Sequence, residues 1–278
     1  MKPDAIVGPK RMTFQDVEWG PDDKPVLIAD GRVYRIDDLD EPLEPKAAYV
    51  VRVVQKSFEK LCRFLRPGIL HFYEMRVGDI SPLAGLHSLQ QLAIRWNTKL
   101  ADISPLSYPR ELKVLVLENT PKVVDLIPIA DCVALRALEY SGGIWNKNSA
   151  ASLTPLANLP VLEDLILTNL RVQADGLKPL AGCKRLKRLE VSNQFETEDY
   201  AFLSVALPDL ECSMLAPYVR LNQAIDGKDI MVVGSRKPFL NSRDDLVRIK
   251  MYEEDFCKLK ARFVSNKSSN RTQTSHPG

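Results

Sequence analysis

The sequence is poor in the residues and runs that most catalytic, metal-binding and membrane functions require. It has 3 histidines among 278 residues, and no H-E-x-x-H pair, glycine-rich phosphate loop or G-x-S-x-G turn. No segment approaches the roughly 18 consecutive apolar residues typical of a membrane-spanning helix. We therefore expect a protein that is not an enzyme, that uses no metal or cofactor, and that does not cross a membrane.

Charge and cysteine content carry little sign of a special partner. The net charge is +2, which gives no global signal for nucleic acid or anionic lipid. The 5 cysteines are odd in number and show no C-x-x-C spacing. Residues 1–19 carry charges throughout and lack the apolar core of a secretory signal. Together these features predict a soluble protein of the reducing cytoplasm.

One spacing pattern, L-x-x-L-x-L, recurs through the middle of the chain. Its first position falls at Pro67, Leu89, Leu112, Leu135, Leu162, Leu186 and Leu210. Successive copies lie between 22 and 27 residues apart. A unit of this length cannot bury its own apolar face, so the copies must stack into a solenoid with one continuous core.

Two periodicities alternate within each copy. The L-x-L end has the period of two that is typical of a short, half-buried strand. The segment before it, such as D-I-S-P-L at 79–83, steps by three, which favours a 3₁₀ or helical turn with proline near its start. Stacked copies therefore predict a parallel sheet on the concave side and short turns on the convex side.

These motifs resemble the leucine-rich repeat family, and most closely its short, bacterial, internalin-like type. The resemblance rests on L-x-x-L-x-L at 89–94, 112–117, 162–167 and 186–191, and on D-I-S-P-L at 79–83 and 102–106. It implies an α/β solenoid with a β-rich N-terminal cap and a strand–helix C-terminal cap, and it implies protein binding. The asparagine of the family pattern matches only at Asn97, so we expect the turns to be individually shaped.

The pattern divides the chain into four parts. Residues 1–55 are predicted as the N-terminal cap, 56–216 as the repeats, 217–264 as the C-terminal cap and 265–278 as a disordered tail. In the first cap, Asp30-Gly31 lies between apolar runs and predicts a hairpin. The valine-rich run at 49–54 favours a strand that opens the sheet, although its apolar spacing also allows a helix.

The C-terminal cap has signals of its own. Residues 230–233 predict a final strand, and Ser242-Arg-Asp-Asp245 has the form of a helix capping box. After it, one apolar stripe follows at steps of three or four residues: Leu246, Ile249, Tyr252, Phe256, Leu259 and Phe263. This stripe predicts a helix of about five turns that packs on the last repeat.

Several residues could suggest chemistry and are better explained by structure. Asp79, Asp102 and Asp125 recur at one repeat position, where a turn-capping role is favoured over a metal ladder. Cys132 and Cys183 fall on core positions. Cys212 falls on an outward strand position, so we expect it to be the one cysteine whose reactivity merits a test.

The basic cluster Lys184-Arg185-Leu-Lys187-Arg188 is expected to be a solvated rim. Only Arg188 is predicted to point into the concave face. A nucleic-acid groove would need basic residues on several adjacent repeats, and the neighbouring positions do not supply them.

The outward positions of the concave sheet form the candidate site. Aromatic and apolar residues stand there where solvated ones are expected, next to an acidic track formed by Glu118, Glu139, Asp164 and Glu190. An insertion at 141–149 adds Trp145, either as a loop-packing residue or as a second anchor. The predicted contact residues are Tyr73, Arg95, Trp96, Val116, Glu118, Glu139, Asp164, Ile166, Glu190 and Trp145.

Aromatic anchors beside charges are typical of protein-binding surfaces. The sequence therefore predicts a non-enzymatic module that binds another protein, one with a basic surface, through its concave face. Two alternatives stay open: a bacterial immunity-type inhibitor of a toxin or enzyme, and a nucleic-acid-associated protein that uses the basic rim. For Trp96, a purely local role folded over its own turn also stays open.

Overall fold

The computed structural model describes residues 25–273 of the protein. A mixed sheet of nine strands runs through this part of the chain. The strands up to the last repeat are β1 Val26–Ala29, β2 Arg32–Arg35, β3 Ala47–Val51, β4 Ile69–Tyr73, β5 Gln91–Arg95, β6 Val114–Glu118, β7 Ala137–Ser141, β8 Asn148–Ala150, β9 Asp164–Leu167, β10 Leu170–Val172 and β11 Arg188–Val191. The order in the large sheet is β11-β9-β7-β6-β5-β4-β3-β1-β2. Strands β8 and β10 pair separately, as a small parallel sheet.

The repeat strands are parallel and in register, so one residue type stacks along each row. Leu92, Leu115, Leu138 and Leu165 are partners in successive strands and are fully buried. Because side chains alternate across a strand, the residues between these leucines face the other side of the sheet. Each repeat thus contributes one face to the core and one to the concave surface.

The convex side consists mainly of short 3₁₀ turns. They span Ser81–Gly85, Ser104–Ser107, Ile127–Asp131, Thr154–Asn158 and Lys178–Gly182. Before the first three turns, Asp79, Asp102 and Asp125 each accept a backbone N–H bond of 2.8 Å from the residue two positions on. The aspartate ladder is therefore a set of turn caps, as the sequence analysis favours.

Helices replace the turns at both ends of the stack. Helix α1, Gln55–Phe64, covers the first repeat and buries Phe58 and Leu61. Helix α2, Thr197–Ala206, covers the last and buries Tyr200 and Leu203. Parallel strands on one side and turns or helices on the other make this a leucine-rich repeat solenoid.

The N-terminal hairpin extends the sheet. Strands β1 and β2 are joined at Asp30-Gly31, whose φ angles of 45° and 79° suit the left-handed turn predicted for this pair. Strand β1 then pairs antiparallel with β3, Leu27 opposite Val50. The run from residue 49 is therefore a strand, as its valine content favours, and not a long helix.

The C-terminal cap is larger than the single strand predicted for it. It contains β12 Tyr218–Ile225, β13 Lys228–Val232 and β14 Phe239–Leu240, which form an antiparallel sheet of their own. Helix α3, Leu246–Gln273, follows. It runs past residue 264, the predicted end of the cap. The charged N-terminal stretch and residues 274–278 of the predicted tail lie outside the described residues.

The predicted capping box at Ser242–Asp245 is replaced by a turn that leads into α3. Asn241, not Ser242, accepts the backbone N–H groups of Arg243 at 2.8 Å and Asp244 at 3.2 Å. Asp245, the residue directly before α3, accepts the N–H of Asn241 at 2.9 Å, so hydrogen bonds from both ends close this turn. Leu246 is exposed because it lies in the first turn, outside the face that packs.

The turns after the strands are individually shaped, as the missing asparagines predict. Asn97 is buried, donates to the Val77 carbonyl at 2.9 Å and accepts the N–H of Leu100 at 3.3 Å. In the next repeat this role belongs to Asn148 of the insertion, which accepts the N–H of Thr120 at 3.0 Å. A residue 28 positions away in sequence therefore completes that turn.

The seventh copy of the pattern does not form a full strand. It makes a single bridge, between Glu211 and Arg188. Cys212 therefore leaves the sheet and packs against the core, and burial raises the pKa of its thiol. The prediction that Cys212 points outward from a strand is wrong for this reason. Cys132 and Cys183 are buried as expected.

Candidate functional site

The concave face is a grid of side chains defined by the strand register. Its central row is Tyr49, His71, Ala93, Val116, Glu139, Ile166 and Glu190. The row toward the strand ends is Val51, Tyr73, Arg95, Glu118 and Ser141. The row toward the strand starts includes Asp164 and Arg188. The grid brings together every predicted contact residue except Trp96, which follows β5 directly, and Trp145, which lies in the insertion.

The N-terminal half of this face is aromatic. The rings of Tyr49 and His71 lie 5.0 Å apart in an edge-to-face arrangement. The rings of Tyr73 and Trp96 lie 5.6 Å apart with an interplanar angle of 34°. All four side chains are half-buried, so each has contacts below it and keeps surface for a partner. Tyr49 was not predicted as a contact, although the alternation of its strand would have identified it.

Trp96 has an unusual backbone. Its φ is 58°, in the left-handed region. Arg52, Glu74 and Asn119, which directly follow the neighbouring strands, share this conformation, as does Asn169 after β9. Asparagine tolerates it well, whereas a bulky residue at positive φ is an outlier. The turn after the strand thus has this conformation with long side chains such as Arg52 and Glu74 as well as with asparagine.

Arg95 is the centre of a charged cluster. Its guanidinium makes a close ion pair with Glu118, and its second nitrogen lies 3.5 Å from a carboxylate oxygen of Glu139. The Ser141 hydroxyl also donates to Glu139, at 2.8 Å. The three charged side chains are 15%, 19% and 13% exposed. Two members of the predicted acidic track, Glu118 and Glu139, are therefore paired with one arginine.

The remainder of the track is only partly neutralised. The Arg188 Nε lies 2.5 Å from Asp164 Oδ1, whereas Glu190 is exposed. Four carboxylates against the two guanidinium groups of Arg95 and Arg188 leave an excess of two negative charges on this face. The concave surface is thus acidic, but less so than the sequence pattern indicates.

Val116 is not available as a contact, which corrects its prediction. It lies on an outward position of β6 yet is only 1% exposed. The pair between Arg95 on β5 and Glu139 on β7 spans β6, so long charged side chains cover the valine. Ile166, in the same row, stays half-buried and keeps some open surface.

His71 lies between the aromatic and the charged halves. Burial, with a smaller effect of the Arg95 charge, lowers the pKa of its imidazole to about 3. The ring is therefore neutral across the physiological range. Its Nε2 is buried and has no hydrogen-bond partner among the described residues.

The insertion presents Trp145 to solvent. This side chain is 88% exposed, and the neighbouring Ile144 is exposed as well. The base of the loop is fixed, since Asn169 Nδ2 donates to the Gly143 carbonyl at 2.6 Å. A Cβ atom on Gly142 would lie 2.3 Å from the Asn169 carbonyl oxygen, so only glycine fits there. Of the two roles left open for Trp145, loop packing is wrong.

The basic cluster near residue 185 is partly neutralised. Glu163 pairs with Lys187 at 2.9 Å and with Arg136 at 3.1 Å. These pairs hold the pKa of Glu163 below its usual value, first through the hydrogen bond from Lys187. In residues 25–273 no group of histidine, cysteine, aspartate and glutamate side chains could hold a metal ion, and no helix has the length and apolar character needed to cross a membrane.

No family model and no curated protein matches the sequence. Among solved structures, an internalin from Listeria monocytogenes is similar at 26% identity and a TM-score of 0.44, over 56% of this chain and 42% of that one. An internalin C2 from the same species has 22% identity and a TM-score of 0.44, over 59% and 69%. A leucine-rich repeat protein from Leptospira interrogans has 16% identity and a TM-score of 0.28. The present chain thus spans less than half the length of the first of these proteins.

Proposed function

We propose that this chain is a non-enzymatic, protein-binding module that holds its partner on the concave sheet. The observation that carries the proposal is the pair of half-buried rings of Tyr73 and Trp96 on this face, whose centres lie 5.6 Å apart. The left-handed conformation of Trp96 costs roughly 1 kcal/mol for a residue of this kind. Asn119 occupies the same conformation at lower cost, but Arg52 and Glu74 occupy it as well, so it belongs to the repeat turn. What distinguishes position 96 is therefore its side chain, a large ring held beside Tyr73.

Half-buried aromatic side chains are the usual centres of binding energy in protein interfaces, because their rings are already ordered before the partner arrives. Tyr49, His71, Tyr73 and Trp96 form one such surface, in contact with the charged cluster around Arg95. We assign the anchoring role to Tyr73 and Trp96, and a peripheral one to Trp145.

The excess of two negative charges favours a partner with a basic surface. Complementary charge raises the rate of association more than the final affinity. Glu190 contributes most directly because it is exposed. Arg95, Glu118 and Glu139 instead present a fixed pattern that selects orientation.

The seven parallel strands, at about 4.8 Å each, give a face on the order of 30 Å long, which matches a protein epitope better than a small molecule. Such a face suits occlusion of a toxin or an enzyme, so an immunity-type inhibitor of bacterial origin is one form of this proposal. The free cysteines favour a reducing, cytoplasmic location. The ion pairs of Glu163 weigh against a nucleic-acid groove.

The test is a comparative capture experiment with two matched double variants. Tyr73→Ala/Trp96→Ala removes the concave anchors, and Tyr108→Ala/Ile127→Ala removes two exposed residues on the convex side. A protein captured by wild type and by the convex variant, but not by the concave variant, is the expected partner. Its affinity is then measured with purified components.

We expect the concave variant to bind this partner at least tenfold more weakly, and added salt to slow association. Thermal melting of each variant controls for loss of fold. A partner that binds both double variants equally well would show that the concave anchors are not the contact.

A further inference from the structure

A cavity of ≈ 440 Å³ lies at the seam between the last repeat and the C-terminal cap, away from the concave face. Pro217, the end of β13 and the α2 N-terminus form its floor, and α3 forms one wall. Its lining combines apolar surface from Pro217, Val232, Tyr252 and Leu259 with the cations Lys237, Lys258 and Arg262. A volume of this size lies in the range of small-molecule sites, about 300–1,000 Å³.

The floor of this cavity is rigid. Asn193 donates to the Val232 carbonyl at 2.8 Å and accepts the Gly234 N–H at 2.7 Å. The Thr197 hydroxyl donates to the Val233 carbonyl at 2.9 Å. Gly234 has a φ of 133°, and a Cβ atom there would lie 2.1 Å from the Thr197 oxygen. The cap strand is thus fastened closely to the last repeat, and the cavity between them is preformed.

The α3 wall has charges where a packing face would be apolar. Tyr252, Asp255, Lys258, Leu259 and Arg262 follow at helical spacing, so they share one side of the helix. Lys258 and Arg262, four residues apart, are like charges on adjacent turns, which destabilises a helix slightly. A wall that served only to pack on the cap sheet would not need them.

The charges around the cavity do not cancel. Lys258 pairs with Asp255 at 3.1 Å, and Arg262 pairs with Glu198 at 2.7 Å. Lys237, on the opposite wall, has no ion pair among the described residues and lies over the Tyr252 ring, 5.6 Å from its centre. The positive charge of Lys237 is therefore left unpaired at the cavity, on the side opposite α3.

We propose that this cavity binds a small organic anion, with a phosphate or carboxylate head and an apolar, preferably planar, body. The head lies between Lys237 and Lys258, where two ammonium groups from opposite walls donate to it. The body lies on Tyr252 and Leu259 and replaces water on that apolar surface. The site is separate from the proposed concave contact and does not depend on it.

The experiment is a ligand-observed NMR titration of the full chain with four probes. Phenyl phosphate and benzoate carry the two candidate heads on one ring, benzyl alcohol carries the ring without charge, and inorganic phosphate carries the charge without the ring. We expect phenyl phosphate or benzoate to bind with a Kd below about 1 mM. Benzyl alcohol and inorganic phosphate should each bind at least tenfold more weakly, and the better of the two charged aryl probes identifies the head group.

Two charge-matched variants locate the site. Lys237→Glu/Lys258→Glu should weaken binding of the aryl anion at least tenfold, whereas Lys99→Glu/Lys122→Glu, at exposed positions of the repeats, should leave it unchanged. If the first variant melts early, Lys237→Gln/Lys258→Gln replaces it. The proposal would be overturned if both pairs of substitutions weakened binding of the aryl anion equally. It would also be overturned if neither aryl anion bound at 10 mM, a concentration on the order of the weakest measurable affinities, or if benzyl alcohol bound as tightly as the aryl anions.

Discussion

Replacement of Arg95 by methionine should reveal how strongly the concave charges depend on one another. The change keeps the length of the side chain but leaves Glu118 and Glu139, at 19% and 13% exposure, without their shared cation. Removal of one partner from a buried ion pair typically costs 3–5 kcal/mol, because the remaining charge is desolvated and unpaired. These groups keep some solvent, so we expect a loss of about 3 kcal/mol in the free energy of unfolding.

The assay is equilibrium urea unfolding at neutral pH, followed by circular dichroism. A triple variant, Arg95→Met/Glu118→Gln/Glu139→Gln, should recover to within about 1 kcal/mol of wild type, since replacement of a whole buried ionic group by neutral residues is often close to neutral. Arg136→Met is the control. That arginine is 57% exposed and paired with Glu163, so its loss should cost less than about 1 kcal/mol.

The reasoning fails if Arg95→Met costs no more than Arg136→Met, because the cluster would then behave as a solvated surface pair. It also fails if the triple variant is less stable than the single one, since uncompensated carboxylates would then not be the source of the loss.

Two further predictions concern residues inside the stack. Asn148→Ala should lower the free energy of unfolding by about 2–3 kcal/mol, because the Asn148 side-chain amide makes hydrogen bonds to two buried backbone groups. The control Asn146→Ala, in the same loop, should change the free energy of unfolding by less than about 0.5 kcal/mol. An equal effect of the two substitutions would contradict the role of Asn148 in completing the turn at Thr120. With an aromatic disulfide reagent at pH 8, Cys257 should react first because its side chain is exposed. Cys132 and Cys183 should react only after denaturation, since both are buried and burial raises the pKa of each thiol to about 11. Cys257→Ser should abolish the fast phase, and its persistence would refute the assignment.

The repeat architecture is predictable because its signals are local. The alternation around Leu92 predicts β5, and Asp79 two residues before Ser81 predicts a capped turn, each from fewer than ten neighbouring residues. The strand of the N-terminal cap is likewise visible in the β-branched residues near Val50. What one repeat encodes within itself can be predicted from the sequence.

The remaining features depend on contacts between repeats. Val116 is buried because Arg95 and Glu139 meet across an intervening strand, and no spacing rule predicts that length match. Asn148 completes a turn from an insertion, which a search for a fixed repeat position does not detect. Cys212 leaves the sheet because the last copy forms a single bridge. In each case a partner distant in sequence decides the environment of the residue.

The two ends of the large sheet bear on its behaviour at high concentration. An open sheet edge is a template for another chain, and stacked parallel strands are prone to grow in this way. At one end, β2 is only four residues long and has exposed arginines at both of its ends, Arg32 and Arg35. At the other end, Glu211 accepts the Leu189 N–H at 3.0 Å and donates its own to the Lys187 carbonyl at 2.9 Å, which occupies part of that edge. Both ends of the sheet thus offer few free backbone groups to another chain, which disfavours edge-to-edge growth into fibres. The concave face, which lies between these ends, can therefore stay exposed without promoting such growth.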